Sequence, residues 1–353
     1  MPETDIPKYE QVKQSLIADI QLGKWSAGGV IPSEAQLLQR FKVSRPTLVR
    51  SLQDLVREGY LYRRQGKGTF VADRSANGNS SGHRSIPVFA DRDVVEGEIF
   101  LRILRGVQAV LGPAHVDLAL RYAGAGPIDE ETSLYLDKVE PSVALVIEPS
   151  FSPALRLELI RRGWTVWAMN EPSPDGNAVY IDQQRAGYLA TRYLIEKGAK
   201  RIALLNGPAD AYWGFRARLN GYLQALRETR IGVDSKLMRE GSHVIDHEAG
   251  RAMMRALLDE GVTVDGVVGG SDSKAIGAAA AAQEAGIRVP QDLRIVGIDD
   301  ILAARATPPI PSVSMPFEEV GRRAADEAIR LGPVARHASS AVEIQLKPSL
   351  VER

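Results

Sequence analysis

Apolar positions in the first seventy residues recur every three or four places and then switch to a strand-like pattern. Tyr9, Val12, Leu16 and Ile20 share one helical face, and Gly23 follows as a natural stop. Pro32-Ser33-Glu34-Ala35-Gln36 puts Ser at an N-cap with Gln three residues on, a capping box, ahead of Leu37, Leu38 and Phe41. After a tight turn at Lys42-Val43, Ser44 can cap a third helix. Pro46 sits in its first turn, and Leu48, Leu52 and Leu55 line one face up to Gly59. Tyr60-Leu61-Tyr62-Arg63 and Thr69-Phe70-Val71 read as two strands joined by Arg64-Gln65-Gly66-Lys67-Gly68. The pattern predicts a helix-turn-helix with a β-wing over residues 1–74.

Residues 75–85 are almost free of apolar side chains and have the composition of a flexible linker. From Ile86 short apolar runs return: Ile86–Ala90, Val116–Leu120, Val143–Ile147, Thr165–Met169, Arg201–Leu205, Gly266–Val268 and Leu293–Val296. Helical patterns such as Arg185–Lys197, Phe215–Arg227 and Ala249–Leu258 lie between them. Repeated β-α units of this kind predict parallel sheets wound with helices, and the length of 86–353 suits two lobes. The expected class is α/β, with the small winged module ahead of a two-lobed domain.

The chain has 353 residues, 44% hydrophobic and 25% charged, which sets aside wholesale disorder, collagen and coiled coil. It contains no cysteine, so disulfides, thiol nucleophiles and zinc ribbons are excluded. The N-terminus lacks the basic and apolar regions of a secretory signal, and no run approaches ~18 apolar residues. The expectation is a soluble, cytoplasmic protein with no membrane partner. The net charge is zero, yet Arg40–Arg74 carries 9 basic against 3 acidic residues. A neutral total therefore hides a basic module, the footprint of a phosphate-contacting surface.

A recognition helix presents its N-terminal residues to base edges in the major groove. Here those residues are Ser44, Arg45 and Thr47, with Arg50 a turn later and Ser33 at the preceding helix. Arg45 suits guanine or phosphate, and Ser44 and Thr47 suit phosphate oxygens or a thymine methyl. At the wing tip, Gln65 and Gly66 permit close approach to a groove and Lys67 offers a cation.

Ile31-Pro32-Ser33-Glu34, Val43-Ser44-Arg45-Pro46-Thr47, Glu58-Gly59-Tyr60-Leu61 and Arg64–Val71, in that order, resemble the DNA-binding domain of the GntR family of bacterial transcription regulators. The family often carries Arg at the positions of Ala35 and Val49, so the resemblance implies double-stranded operator DNA as partner without implying its sequence.

In open α/β sheets ligands bind beyond the carboxyl ends of strands. Those ends offer Glu148, Asn170 with Glu171, Asp182, Asn206, Ser271 with Asp272, and Asp299 with Asp300. Arg218 follows Asn206-Gly207-Pro208 on the next helix, while Trp213 can stack on a sugar or simply pack, and His243 can line the site or serve structure. Asp182, Arg218–Tyr222, Ser271-Asp272, Val289–Asp292, Val296–Asp300 and Pro316–Ala325 are similar to the effector domain of LacI/GalR repressors. That family shares its fold with periplasmic sugar-binding proteins. The resemblance implies effector contacts at Arg218, Ser271 and Asp299, and also at Asp182, Asn170 and His243; Asp272 and Trp213 complete the candidate set. Ser271 stands where the family usually has Asn.

Together the two modules resemble the arabinose-repressor type of GntR regulator. The resemblance implies a sugar-responsive repressor that binds its operator as a homodimer, with no cofactor and no metal. A regulator sensing a purine, or an enzyme on a doubly wound fold, stays open as an alternative. No G-x-G-x-x-G follows a predicted strand, which counts against nucleotide chemistry.

Overall fold

The computed structural model describes residues 7–21, 24–25, 28–57, 60–64, 68–71, 85–91, 97–123, 127–147, 153–173, 176–242, 247–331 and 341–353. The expected linker up to residue 84, the wing tip Gln65-Gly66-Lys67, and His243 lie outside these residues.

The N-terminal module contains α1 (Lys8–Gln21), α2 (Glu34–Phe41), α3 (Arg45–Arg57), β1 (Leu61–Arg64) and β2 (Gly68–Val71). Val12, Leu16, Ile31, Leu37, Leu48, Leu52, Leu55, Leu61 and Val71 form its core, so the helical apolar stripes read from the sequence face one another. The Ser33 capping box is present: Ser33 N–H donates to Gln36 Oε1 at 2.9 Å, and the Gln36 N–H reaches Ser33 Oγ at 3.4 Å. Lys42 closes α2 in the left-handed region, φ 50°, with its N–H on the Leu38 carbonyl. Strands β1 and β2 pair antiparallel, Leu61 with Val71 and Arg64 with Gly68, and Val30 bridges to Phe70 along the other edge. This is the expected winged helix-turn-helix.

The larger part holds two six-stranded sheets. The first contains β3 (Ser85–Ala90), β4 (Asp117–Tyr122), β5 (Val143–Ile147), β6 (Thr165–Met169) and β7 (Asn177–Ile181). Helices α4 (Glu98–Leu111), α5 (Glu130–Lys138) and α6 (Pro153–Arg161) alternate with its strands, and α7 (Gln183–Glu196) leads onward. The second sheet contains β8 (Ile202–Asn206), β9 (Met238–Glu240), β10 (Gly266–Gly269), β11 (Arg294–Asp299) and β12 (Ser312–Ser314). Its helices are α8 (Trp213–Glu228), α9 (His247–Asp259) and α10 (Asp272–Glu284). After α11 (Phe317–Leu331) the chain gives β13 (Glu343–Leu346) to the first sheet and β14 (Ser349–Val351) to the second. The orders are β13-β7-β6-β5-β3-β4 and β14-β12-β11-β10-β8-β9.

Strands β5, β6, β8, β10 and β11 are near-continuous apolar runs because both faces of each are covered. The pairings among β13, β7, β6, β5 and β3, and among β12, β11, β10, β8 and β9, are parallel, whereas β14 runs antiparallel to β12, so the expectation of parallel sheets needs a correction at that edge. Short polar-flanked strands such as β9, β12 and β14 carry too few apolar residues to stand out by periodicity.

Two helix crossings fix the site. Helix α7 packs on α8, and α9 on α10. A Cβ on Gly187 of α7 would lie 2.1 Å from the Arg218 carbonyl oxygen, and one on Gly250 of α9 would lie 2.1 Å from that of Lys274. Only glycine allows these backbones to approach so closely, and each approach seats one buried cation.

Candidate functional site

The proposed DNA-reading face is built on α3. Ser51, fully buried, donates its hydroxyl to the Tyr9 and Thr47 carbonyls at 2.7 and 3.0 Å, which ties α3 to α1. Leu48 before it packs into the core, and the residues around Leu48 at the start of the helix face outward. Ser44 and Arg50 are exposed, and the Arg45 side chain keeps 77% of its surface, with Glu34 at 3.7 Å as a loose ion-pair partner. Thr47 is half-buried, and its hydroxyl lies 2.7 Å from that of Ser44. The Arg50 guanidinium stacks 3.8 Å from the Tyr9 ring centre, which orients it without neutralising it. Ser33 has its hydroxyl in the α2 cap, so its N–H and Oγ are already engaged within the helix start. Among the described residues this gives a short helix N-terminus with two hydroxyls and two arginines presented to solvent, the arrangement that phosphate and base edges accept.

The candidate effector residues divide into two groups. Arg218, Ser271, Asp272 and Asp299 come together where β8, β10 and β11 end. Arg218, 6% exposed, donates Nε to Gln183 Oε1 at 2.8 Å and Nη1 to the Gly270 carbonyl, and its Nη2 lies 3.7 Å from Asp299 Oδ1. Ser271 caps α10, accepting the Lys274 N–H at 3.2 Å. Asp272 Oδ2 accepts the N–H groups of Ile301, Leu302 and Ala303 at 2.7, 2.9 and 3.1 Å, and its Oδ1 accepts the Ser312 hydroxyl at 2.6 Å. Both oxygens are therefore occupied by the chain itself. The geometry departs from the expected ligand-facing role for Asp272 and makes it the brace of the turn after β11.

Asp299 is different. Its Oδ1 is buried with no hydrogen-bond donor among the described residues. Burial pushes its carboxyl up to about 7, against the pull of Arg218, while the neighbouring Asp272 charge adds to the rise and Lys274 and Arg102 oppose it. Asp299 also has φ 115° and Asp300 has φ 56°, conformations that non-glycine residues rarely hold. Such strain is stored where surrounding structure over-determines it, commonly at binding sites. Asn170, after β6, shares both traits: φ 70°, and a buried Oδ1 with no partner among the described residues.

Asp182 and Trp213 form the second group. Asp182 caps α7, accepting the Arg185 N–H at 2.8 Å. Trp213 meets Tyr180 edge-on at 5.8 Å, and with Asp182, Gln183 and Tyr188 these residues line a pocket of about 630 Å³. Gln183 belongs to both groups, since it lines that pocket and holds Arg218.

Three further buried residues, Gln183, Phe215 and Lys274, were not among the candidates, and Asn206 was named only as a strand-end residue. Gln183 and Asn206 lie beside strand ends, and Asn206 Oδ1 is buried without a partner among the described residues while its Nδ2 donates to the Phe215 carbonyl at 2.8 Å. The Phe215 ring centre is 5.9 Å from the Arg218 guanidinium and 5.7 Å from Lys274 Nζ, so Phe215, rather than Trp213, is the aromatic wall beside Arg218. Lys274 is completely buried. A lysine in the first turn of an alanine-rich helix was the sequence signal for it.

Two separate parts of the chain match known protein families. Residues 8–71 match the profile of the bacterial regulatory proteins of the gntR family, and residues 191–353 match that of the periplasmic binding protein-like domain. The chain thus joins a GntR helix-turn-helix to a LacI-type, periplasmic-binding-protein-like domain. The arabinose metabolism transcriptional repressor of Halalkalibacterium halodurans is 27% identical over 98% of this chain and 96% of its own. The HTH-type transcriptional repressor PurR of Edwardsiella ictaluri is 35% identical over 50% of this chain and 51% of its own. Among solved structures, the transcriptional regulator CelR in complex with cellobiose is similar with a TM-score of 0.67 and 26% identity, covering 88% of this chain and 91% of that one.

Proposed function

We propose that the chain is a bacterial transcriptional repressor that binds operator DNA as a homodimer and is controlled by a sugar-like effector. What carries the reading is the coexistence, in one chain, of an exposed α3 N-terminus with Ser44, Arg45 and Thr47 and a buried Arg218–Asp299 cluster at strand ends. Residues 1–74 read DNA, 75–85 link, and 86–353 bind effector and dimerise. Ser33, Ser44, Arg45, Thr47, Arg50 and the wing residues Gln65, Gly66 and Lys67 contact DNA. Arg218, Asp299, Ser271 and Asn170 hold the effector, with Asp182, Trp213 and His243 at its margin.

A two-fold operator calls for two winged modules, hence the dimer. Effector binding and DNA binding are then coupled by a free energy that is reciprocal between the two sites. The work is cytoplasmic and not enzymatic: the relatives are repressors, and no described helix is long and apolar enough to cross a membrane. The test is selection of duplexes from a random pool by the full chain. An inverted repeat bound by the wild type and lost in Arg45→Ala supports the reading; retention of random DNA only, unchanged by Arg45→Ala, rejects it.

A further inference from the structure

The pocket of about 630 Å³ beside Trp213 takes its walls from both sheets of the larger part, and its volume is that of a small-molecule site. Tyr180 of β7 and Gln345 of β13 are register partners in the first sheet. Trp213, Ala217 and Gln224 belong to α8, which packs on α7 and against β8 of the second sheet. Asp182 stands where the chain passes from β7 into α7.

The lining combines ring faces with mixed donors and acceptors. Trp213 and Tyr180 meet at 89°, so they make a corner and do not cover each other as a stack would. Beside them runs a connected polar wall. Gln184 Nε2 donates to Gln224 Oε1 at 2.9 Å, Gln224 Nε2 donates to Glu228 Oε1 at 2.9 Å, and the Tyr188 hydroxyl donates to Glu228 Oε2 at 2.7 Å. These bonds hold the side chains in place and use only part of their capacity, since each amide keeps one N–H and Gln184 keeps its Oε1. Asp182 spends Oδ1 on the Arg185 N–H at 2.8 Å. Formal charge in the lining is balanced, Asp182 against Arg185. A neutral ring whose hydroxyls both donate and accept matches this surface, and aromatic faces suit its C–H side.

The pocket adjoins the Arg218 cluster without merging with it. Gln183, 1% exposed, lines the pocket and accepts the Arg218 Nε–H at 2.8 Å on the other side. A run of edge-to-face rings spans the same interval: Trp213 to Tyr212 at 5.9 Å, Tyr212 to Phe215 at 5.2 Å, and Phe215 to the Arg218 guanidinium at 5.9 Å.

Resting on the sugar-effector reading above, we infer that this pocket is a second sugar-ring site, in which a neutral ring lies against Trp213 and exchanges hydroxyl hydrogen bonds with Gln184, Gln224 and Asp182 while another ring is held at Arg218. The ring has two possible sources with the same chemistry: the second unit of an oligosaccharide, or a separate sugar molecule.

The experiment is calorimetry on the full chain at pH 7. The probes are arabinose, ribose, glucose and galactose; the disaccharides cellobiose, maltose and lactose; and adenosine and inosine as flat, non-sugar-faced competitors for the rings. The expected result identifies the source. Either a disaccharide binds one per chain at least about tenfold tighter than its component monosaccharides, or a monosaccharide binds two per chain. Trp213→Ala should bring the disaccharide down to monosaccharide affinity, or leave one of the two sites, whereas Trp213→Phe, which keeps a ring face, should retain most of the gain.

One monosaccharide per chain, with no gain from a second ring and with Trp213→Ala indifferent, would overturn the inference while leaving the sugar-sensor reading intact. Binding of a nucleoside in place of every sugar, lost in Trp213→Ala, would overturn the sugar assignment of the pocket. Absence of binding by every probe to a folded chain would overturn both readings, and operator binding in the same preparation would show that the DNA half survives. If Trp213→Ala fails to fold, Ala217→Leu supplies the second readout. It keeps a good helix former on α8 and fills the pocket beside Trp213, so it should abolish the second-ring gain or the second site and spare the first.

Discussion

The α3 N-terminus and the Arg218 cluster both gather arginine and hydroxyl groups, yet they treat them oppositely. Arg45 stands 77% exposed with Glu34 3.7 Å away, whereas Arg218 is 6% exposed and held by Gln183, the Gly270 carbonyl and Asp299. On the proposed function, a duplex is a large external partner that brings its own charge, for which solvated groups are ready. The proposed small effector would have to be surrounded, which suits groups positioned by packing beforehand. The lesson is that substitutions on the first face change function with little effect on folding, and those in the second change both.

Effects on stability should therefore fall steeply from one region to the other. Arg218→Met leaves Asp299 buried without its nearest cation and removes the donors to Gln183 and Gly270; unfolding in denaturant should show a loss of about 3–5 kcal/mol. Asp272→Ala strands three N–H groups and the Ser312 hydroxyl, for a loss of about 2–3 kcal/mol by the same measurement. Ser33→Ala removes one α2 cap and should cost about 1 kcal/mol. Arg45→Ala should change stability by less than about 0.5 kcal/mol, yet weaken discrimination of the correct operator base by about 1–3 kcal/mol in competition binding.

Acidity sharpens the contrast. The folded state raises the Asp299 carboxyl from an ordinary carboxylate value to about 7, so between roughly pH 4 and 7 the native chain holds a proton that the unfolded chain has released. This contribution is full below that window and is lost as pH rises through it. Stability of the two-sheet region should fall across the range, and Asp299→Asn should flatten the slope when unfolding is followed as a function of pH.

The winged module was legible almost residue by residue because its signals are local. The Ser33–Gln36 box, Pro46 in the first turn of α3, and the Leu48–Leu52–Leu55 stripe each act within a few positions. Strands β5 and β6 were equally plain, since burial on both faces leaves uninterrupted apolar runs. The buried cluster was only half legible. Arg218 and Asp299 could be placed by motif, but Lys274 and Gln183 owe their buried positions to the α9–α10 and α7–α8 crossings, which bring together residues far apart in the chain. Asp272 illustrates the converse. Its position at a strand end suggested a ligand contact, and only the tertiary fold reveals that residues 301–303 and Ser312 have already taken its oxygens. Trp213 stood beside Arg218 in sequence, but five residues along a helix turned it toward Tyr180 and the pocket they line with Asp182.

The most direct test of the division of labour is a fluorescence-anisotropy titration of the selected operator duplex, with and without the effector that stabilises the chain, using wild type, Arg45→Ala and Arg218→Met. The prediction is that Arg45→Ala loses operator affinity in both conditions, while folded Arg218→Met binds the operator like wild type and no longer responds to the effector. An Arg218→Met protein that still responds fully, or an Arg45→Ala protein that binds the operator undiminished, would contradict it.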